Sequence, residues 1–78
     1  MRNKREYVIL TFRTTTDAMA MEAQCAERSI PGRLIPIPRE ITAGCGLAWR
    51  IVPEQYAQNK DAIFALHIPF EQMVSLKL

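Results

Sequence analysis

The sequence predicts a small α+β domain in which one antiparallel sheet carries two helices on the same face. Two observations predict it. Four short runs are rich in β-branched, aromatic and aliphatic residues, and two longer segments carry apolar residues at helical spacing. Their order is strand, helix, strand, strand, helix, strand, which is the order of ferredoxin-like βαββαβ two-layer sandwiches. The expected order of the strands across the sheet is fourth, first, third, second.

The first predicted strand, residues 7–12, alternates between a core face and an opposite face. Its core face consists of apolar side chains: Val8, Leu10 and Phe12. The threonines that follow can cap a helix over about residues 17–28, with Thr15 or Thr16 as the N-cap. This helix carries a stripe of small and apolar residues: Ala18, Met21 and Cys25.

The second predicted strand, residues 33–37, contains Pro36 and is therefore expected at an edge, because proline cannot donate to a neighbouring strand. Residues 47–52 predict the third strand, and Pro53 opens a second helix that ends at about residue 66 or 67. Residues 72–78 predict the fourth strand. The sheet face opposite the helices is expected to show a few apolar residues, which favours a homodimer through that face: Tyr7, Ile9, Val52 and Met73.

Length and composition exclude several classes of protein. The 78 residues make a single domain, residues 1–78, and 49% of them are hydrophobic, which is typical of a globular chain. A net charge of +2 is too small to indicate a nucleic-acid partner. No apolar run approaches the ~18 residues that span a membrane, and no signal-peptide pattern is present. We therefore expect a cytoplasmic protein whose two cysteines are free thiols.

The long connection between the second and third strands, residues 36–46, holds the candidate site. Gly44 and Gly46 flank Cys45, so they remove steric cover and let another molecule approach the sulfur closely. The topology puts this loop beside the N-terminus of the first helix, where backbone N–H groups and nearby cations favour a thiolate. Four further side chains are expected to support the loop or stabilise an anion: Arg39, Thr14, Thr15 and Thr16. The alternative is a simple turn in which the cysteine is incidental.

The remaining reactive residues point to less specific roles. Cys25 lies on the helix stripe, which favours a buried structural thiol. His67, the only histidine, is expected to cap a helix end rather than to act as an acid or base. The sequence has no zinc-site spacing, phosphate-binding glycine loop or paired catalytic carboxylates, so we expect no metal and no cofactor.

Four segments together carry a family resemblance: the opening strand 7–12 with its threonine-rich turn, the helix with Asp17, Ala18 and Glu22, residues 33–41, and residues 44–48. With them the chain resembles the selenium/sulfur carrier protein-like family of small bacterial domains. The resemblance implies that Cys45 is the chalcogen-carrying residue. It implies a carrier rather than a stand-alone enzyme, which holds sulfur or selenium as a persulfide or selenopersulfide. Its partners would be the donor and acceptor proteins.

Two other functions stay open on the sequence alone. The domain could be a non-catalytic ligand- or protein-binding module, since small domains of this architecture serve many purposes. It could also be a redox switch that joins Cys25 to Cys45, which requires Cα atoms within roughly 7 Å of each other.

Overall fold

The computed structural model describes residues 4–42 and 44–78, which form a four-stranded antiparallel sheet and two helices. In chain order the elements are β1 (Glu6–Thr11), α1 (Thr15–Glu27), β2 (Arg33–Pro36), β3 (Leu47–Ile51), α2 (Pro53–Phe64) and β4 (Met73–Lys77). Across the sheet the strands lie in the order β2-β3-β1-β4, so β1 and β3 are central. Read from the β4 edge, this is the order expected from the sequence, and β2 lies at an edge as Pro36 predicts.

The hydrophobic core lies between the sheet and both helices. Leu10 and Phe12 of the first strand segment are completely buried there, as the alternation predicts. α1 contributes the predicted stripe of buried residues, Ala18, Met21 and Cys25. α2 adds one fully buried residue, Ile63. Burying a large apolar side chain stabilises a fold by about 1.5–3 kcal/mol. Because the buried residues of α1 and α2 belong to the same core cluster as Leu10 and Phe12, both helices cover the same face of the sheet.

The start of α1 differs from the sequence-based expectation by one residue. Thr14, and not Thr15 or Thr16, is the N-cap, and its Oγ1 accepts a hydrogen bond from the backbone N–H of Asp17 at 3.1 Å. An N-cap hydroxyl satisfies an N–H of the first turn that has no partner within the helix. Thr15 and Thr16 are consequently the first two residues of the helix itself.

The opposite face of the sheet, called the open face below, is more apolar than expected. Tyr7 and Ile9 lie on it as predicted, but Met73 pairs with Leu10 and faces the helix side, where it is 49% exposed. The neighbouring residues of β4 face the open side instead and pack with Ile9: Val74 and Leu76. The prediction for Met73 was wrong because the face of a strand depends on its register with its neighbour, which the sequence does not specify.

Candidate functional site

The candidate site is the connection between β2 and β3, of which Ala43 lies outside the described residues. Its two ends are joined where the N–H of Ile37 donates to the carbonyl of Gly46 at 2.9 Å. A turn follows, closed by the N–H of Ile41 donating to the carbonyl of Pro38 at 3.0 Å. Ile41 is only 7% exposed and packs on the open face. The first half of the loop is thus anchored by an apolar side chain.

The second half of the loop is tied to the residues that precede β4. The carboxylate of Glu71 accepts a hydrogen bond from the N–H of Gly44 at 3.0 Å. The side-chain amide of Gln72 donates to the carbonyl of Thr42 at 3.2 Å. Glu71 is itself fixed, because its N–H donates to the carbonyl of Thr11 at 2.7 Å. These bonds hold the segment before Cys45 against the end of β1.

The two glycines beside Cys45 occupy positions that disfavour a side chain for different reasons. Gly44 lies so close to Arg13 that an added Cβ would come within 3.3 Å of the Arg13 carbonyl oxygen. Gly46 has a φ of 79°, a left-handed conformation that other residues adopt only at a cost. No atom of the described residues lies within 4 Å of the position that a Cβ on Gly46 would take. The backbone after Cys45 is therefore open to an approaching molecule.

Cys45 lies at the margin of the core rather than fully in solvent. Its side chain is half-buried and packs against the core on the helix side. Its thiol donates a weak hydrogen bond to the carbonyl of Leu47, with 3.7 Å between sulfur and oxygen. Cys45 is therefore partly exposed, and the bond to Leu47 orients its thiol.

The loop meets the start of α1, as the topology predicts. Gly44 contacts Arg13, which comes directly before the N-cap Thr14. The hydroxyl oxygen of Thr14 accepts a hydrogen bond from the N–H of Asp17, and its O–H can still donate to another group. Thr15 and Thr16 are exposed in the first turn.

Arg39, the other predicted support of the loop, is exposed in the turn that precedes Ile41. Within residues 4–42 and 44–78, no hydrogen bond joins it to Cys45. The structure therefore brings Gly44, the residue before Cys45, beside Arg13 at the start of α1, whereas it shows no contact between Arg39 and Cys45 among the described residues.

Two residues of the site escaped the sequence analysis, namely Glu71 and Gln72. A signal for them was present, because they are polar residues immediately before the fourth strand. β4 runs antiparallel to β1, so its start lies beside the end of β1 and thus beside the loop.

Cys25 is completely buried in the core, which confirms its predicted structural position. Burial raises the pKa of its thiol from 9.0 to about 11. Cys25 and Cys45 are both free thiols. At neutral pH Cys25 is therefore a protonated thiol, the form that does not attack a disulfide or a persulfide.

The described residues do not form two other kinds of site. Within residues 4–42 and 44–78, no group of three or more His, Cys, Asp or Glu side chains is arranged to hold a metal ion. No helix in the same part of the chain combines the length and the apolar character needed to cross a membrane.

Comparison with known protein families decides the affiliation of the chain. The family described as "Putative Se/S carrier protein-like" matches residues 7–75, a span that contains Cys45 and both of its glycines. The chain belongs to this Se/S carrier family. The resemblance found in the sequence is thereby confirmed over nearly the whole chain. No curated protein and no solved structure matches it significantly.

Proposed function

We propose that this member of the Se/S carrier family holds sulfur or selenium on Cys45 and passes it to a partner enzyme. The observation that carries the proposal is the setting of Cys45. It is a partly accessible thiol followed by an open glycine backbone, on a loop that hydrogen bonds fix from both sides. A carrier needs such a thiol, because a second protein must reach the sulfur twice, once to load it and once to unload it.

The proposed chemistry is a thiol exchange in two balanced steps. The Cys45 thiol first releases its proton to solvent, and the thiolate attacks the terminal sulfur of a persulfide on the donor protein. The new sulfur–sulfur bond forms on Cys45 as the donor sulfur–sulfur bond breaks, and the donor leaves as a thiolate. In the second step a nucleophile of the acceptor attacks the terminal sulfur, and Cys45 departs as a thiolate. Selenium would follow the same route as a selenopersulfide.

The surroundings of Cys45 suit an anionic intermediate in part. The beginning of α1 carries the partial positive charge of a helix N-terminus, and Gly44 lies beside Arg13, which directly precedes the N-cap Thr14. Glu71 adds a negative charge near the same place, which opposes a thiolate. We assign Thr15, Thr16 and Arg39 to the docking of the cargo or the partner, because all three are exposed at this end of the domain.

The architecture is compatible with such a role. We assign the domain to the ferredoxin-like class, on the βαββαβ element order and the two helices on one face. A body of 78 residues that presents one cysteine loop at the end of its sheet can dock on larger enzymes. We propose that the protein acts in the cytoplasm, where a reducing environment keeps Cys45 as a thiol.

The direct test is to incubate the protein with a cysteine desulfurase and either cysteine or selenocysteine, and then to measure its intact mass. We expect an increase by one sulfur or selenium atom per chain, which a reductant removes. Cys25→Ser is the matched control and should still take up the atom, whereas Cys45→Ser should not. Absence of an adduct on the native chain, or an equal adduct on Cys45→Ser, would contradict the proposal.

A second candidate function is a non-catalytic binding module, and the half-burial of Cys45 against the core favours it. In that case the partly exposed apolar residues of the open face would bind a partner, or a second copy of the chain: Tyr7, Ile35, Val74 and Leu76. A Cys45→Ala variant that fully replaces the native protein in cells would support this function. Loss of function in that variant, with an unchanged fold, would support the carrier.

A further inference from the structure

A groove of about 270 Å³ lies at the end of the sheet opposite Cys45. It is formed where β2 begins and β3 ends, whereas Cys45 lies between the end of β2 and the start of β3. Tyr7 and Gln55 line it together with three arginines, Arg5, Arg33 and Arg50. No Asp or Glu is among its described lining residues. The groove is therefore a concentrated positive patch, on a chain whose net charge is only +2.

The sheet register brings two of these charges together. Arg33 and Arg50 are direct partners across β2 and β3, so their side chains leave the same face as neighbours. Like charges in this position are destabilising. The guanidinium of Arg50 also lies over the ring of Tyr7, 4.6 Å from its centroid, which positions it in the groove. An anion between the two arginines would offset their mutual repulsion and could be bound by both, because guanidinium groups bind oxyanions with two parallel hydrogen bonds.

Two sets of hydrogen-bond donors without partners lie near this groove, one on the helix side of the sheet and one at the start of α2. The Nε1 atom of Trp49 is buried and has no acceptor among the described residues, and Trp49 is only 3% exposed. This edge of the indole lies against Gly32, which lines both the basic groove and a second groove on the helix side. Val52, the N-cap of α2, also lines the basic groove and makes no side-chain cap. Because Pro53 has no N–H, the uncapped donors there are the N–H groups of Glu54 and Gln55, and the carboxylate of Glu54 lies in the same turn. Uncapped N–H groups at a helix start attract anions.

We propose that this basic groove binds a phosphate group, either free or as the monoester of a small molecule. Arg33 and Arg50 would each bind phosphate oxygens, and Arg5 would supply further positive charge. Phosphate fits better than a single carboxylate, because a phosphate monoester carries a charge of about −1.5 to −2 at neutral pH and three acceptor oxygens. The small volume fits a phosphate with a small substituent, since pockets for drug-sized ligands measure about 300–1,000 Å³.

The test is a titration of isotope-labelled protein with inorganic phosphate and with phenyl phosphate at constant ionic strength. Nuclear magnetic resonance would follow the backbone amides and the indole N–H of Trp49. We expect saturable shifts that centre on Gly32, Arg33, Gln55 and the indole. Tighter binding of phenyl phosphate would indicate an ester as the ligand, and equal or weaker binding would indicate free phosphate. Either result supports the site.

Three variants make the test specific. Arg33→Gln and Arg50→Gln should each weaken binding by about tenfold or more, the effect of losing one charge-assisted hydrogen bond. Arg28→Gln removes the same charge from a residue that does not line the groove, and should bind as the native chain does. Arg33→Gln should also unfold at the same or a higher temperature, because it removes a like-charge pair.

Several results would overturn the proposal. One is the absence of saturable shifts with both phosphate probes. A second is equal weakening in Arg28→Gln, which would indicate only long-range attraction between charges. A third is binding of poly-glutamate without binding of either phosphate probe, which would indicate an acidic protein as the partner. A marked loss of stability in both Arg33→Gln and Arg50→Gln would assign the arginines a structural role instead.

Discussion

The carboxylate of Glu71 accepts a hydrogen bond from the backbone N–H of Gly44 at 3.0 Å, although 27 residues separate the two in the chain. Glu71 is positioned by its own bond to Thr11 in β1. The residue next to Cys45 is therefore attached to a central strand of the sheet through one side chain. This attachment limits the positions that the thiol can take relative to the start of α1.

Replacing Glu71 with alanine should loosen the loop without unfolding the domain. The Gly44 N–H would lose its acceptor, so its exchange with solvent deuterons should become faster by several-fold or more. The free energy of unfolding should fall by about 1 kcal/mol, because the bond is exposed and water replaces it in part. Hydrogen exchange and urea denaturation measure the two effects.

Glu71→Gln is the matched control for this prediction, since its side-chain oxygen can still accept the Gly44 N–H. It should keep most of the protection of that amide. If Glu71→Ala protected Gly44 as well as the native chain does, the bond would have no part in fixing the loop.

Much of the fold can be predicted from patterns along the sequence, whereas the contacts of the site depend on how distant segments pack together. The alternation of Val8, Leu10 and Phe12 and the stripe with Cys25 depend on local periodicity, and the structure confirms them. The bond from Glu71 to Gly44 depends instead on how two distant segments meet at the end of β1. No local preference encodes such a contact, and the same holds for the face on which Met73 lies.

The two thiols should react with alkylating reagents at very different rates. Cys45 is half-buried beside an open glycine, whereas Cys25 has no exposed surface and a pKa raised to about 11. We expect one thiol per chain to react rapidly with iodoacetamide and the other to react only through opening of the fold. In Cys45→Ser the rapid phase should vanish, and in Cys25→Ser it should remain. A rapid phase in Cys45→Ser would contradict this assignment.

Gly46→Ala should destabilise the loop through its backbone. At a φ of 79° an alanine costs about 1–2 kcal/mol, although its Cβ would meet no described atom within 4 Å. Gly46→Asn should lose less, because asparagine adopts this conformation more readily. Urea denaturation compares the three chains. Equal stability of Gly46→Ala and the native chain would show that the backbone at this position rearranges without cost.

Burial of Cys25 should make the fold less stable in alkaline solution. Its pKa is about 11 in the folded chain against 9.0 in the unfolded chain, so between these values only the unfolded chain loses the proton. The contribution of the buried Cys25 thiol to the free energy of unfolding is fully present below pH 9 and is lost as the pH rises to about 11. A shift of this size corresponds to about 2–3 kcal/mol in the free energy of unfolding.

The measurement is urea denaturation of the native chain and of Cys25→Ala across that pH range. All other titratable groups are the same in the two chains, so the difference between the two isolates Cys25. The gap in stability between native and variant should narrow as the pH rises. A gap that does not change with pH would contradict the prediction.

The position of Pro36 has a consequence for how copies of the chain can meet. Ile37 directs its N–H inward to Gly46, so in an antiparallel ladder the nitrogen of Pro36 faces outward. Proline has no hydrogen to offer there, and β2 is only four residues long. A strand from another molecule would find few donors along this edge. Strand addition, and with it edge-to-edge aggregation, is therefore directed to the edge at β4, where Lys77 supplies a protecting charge.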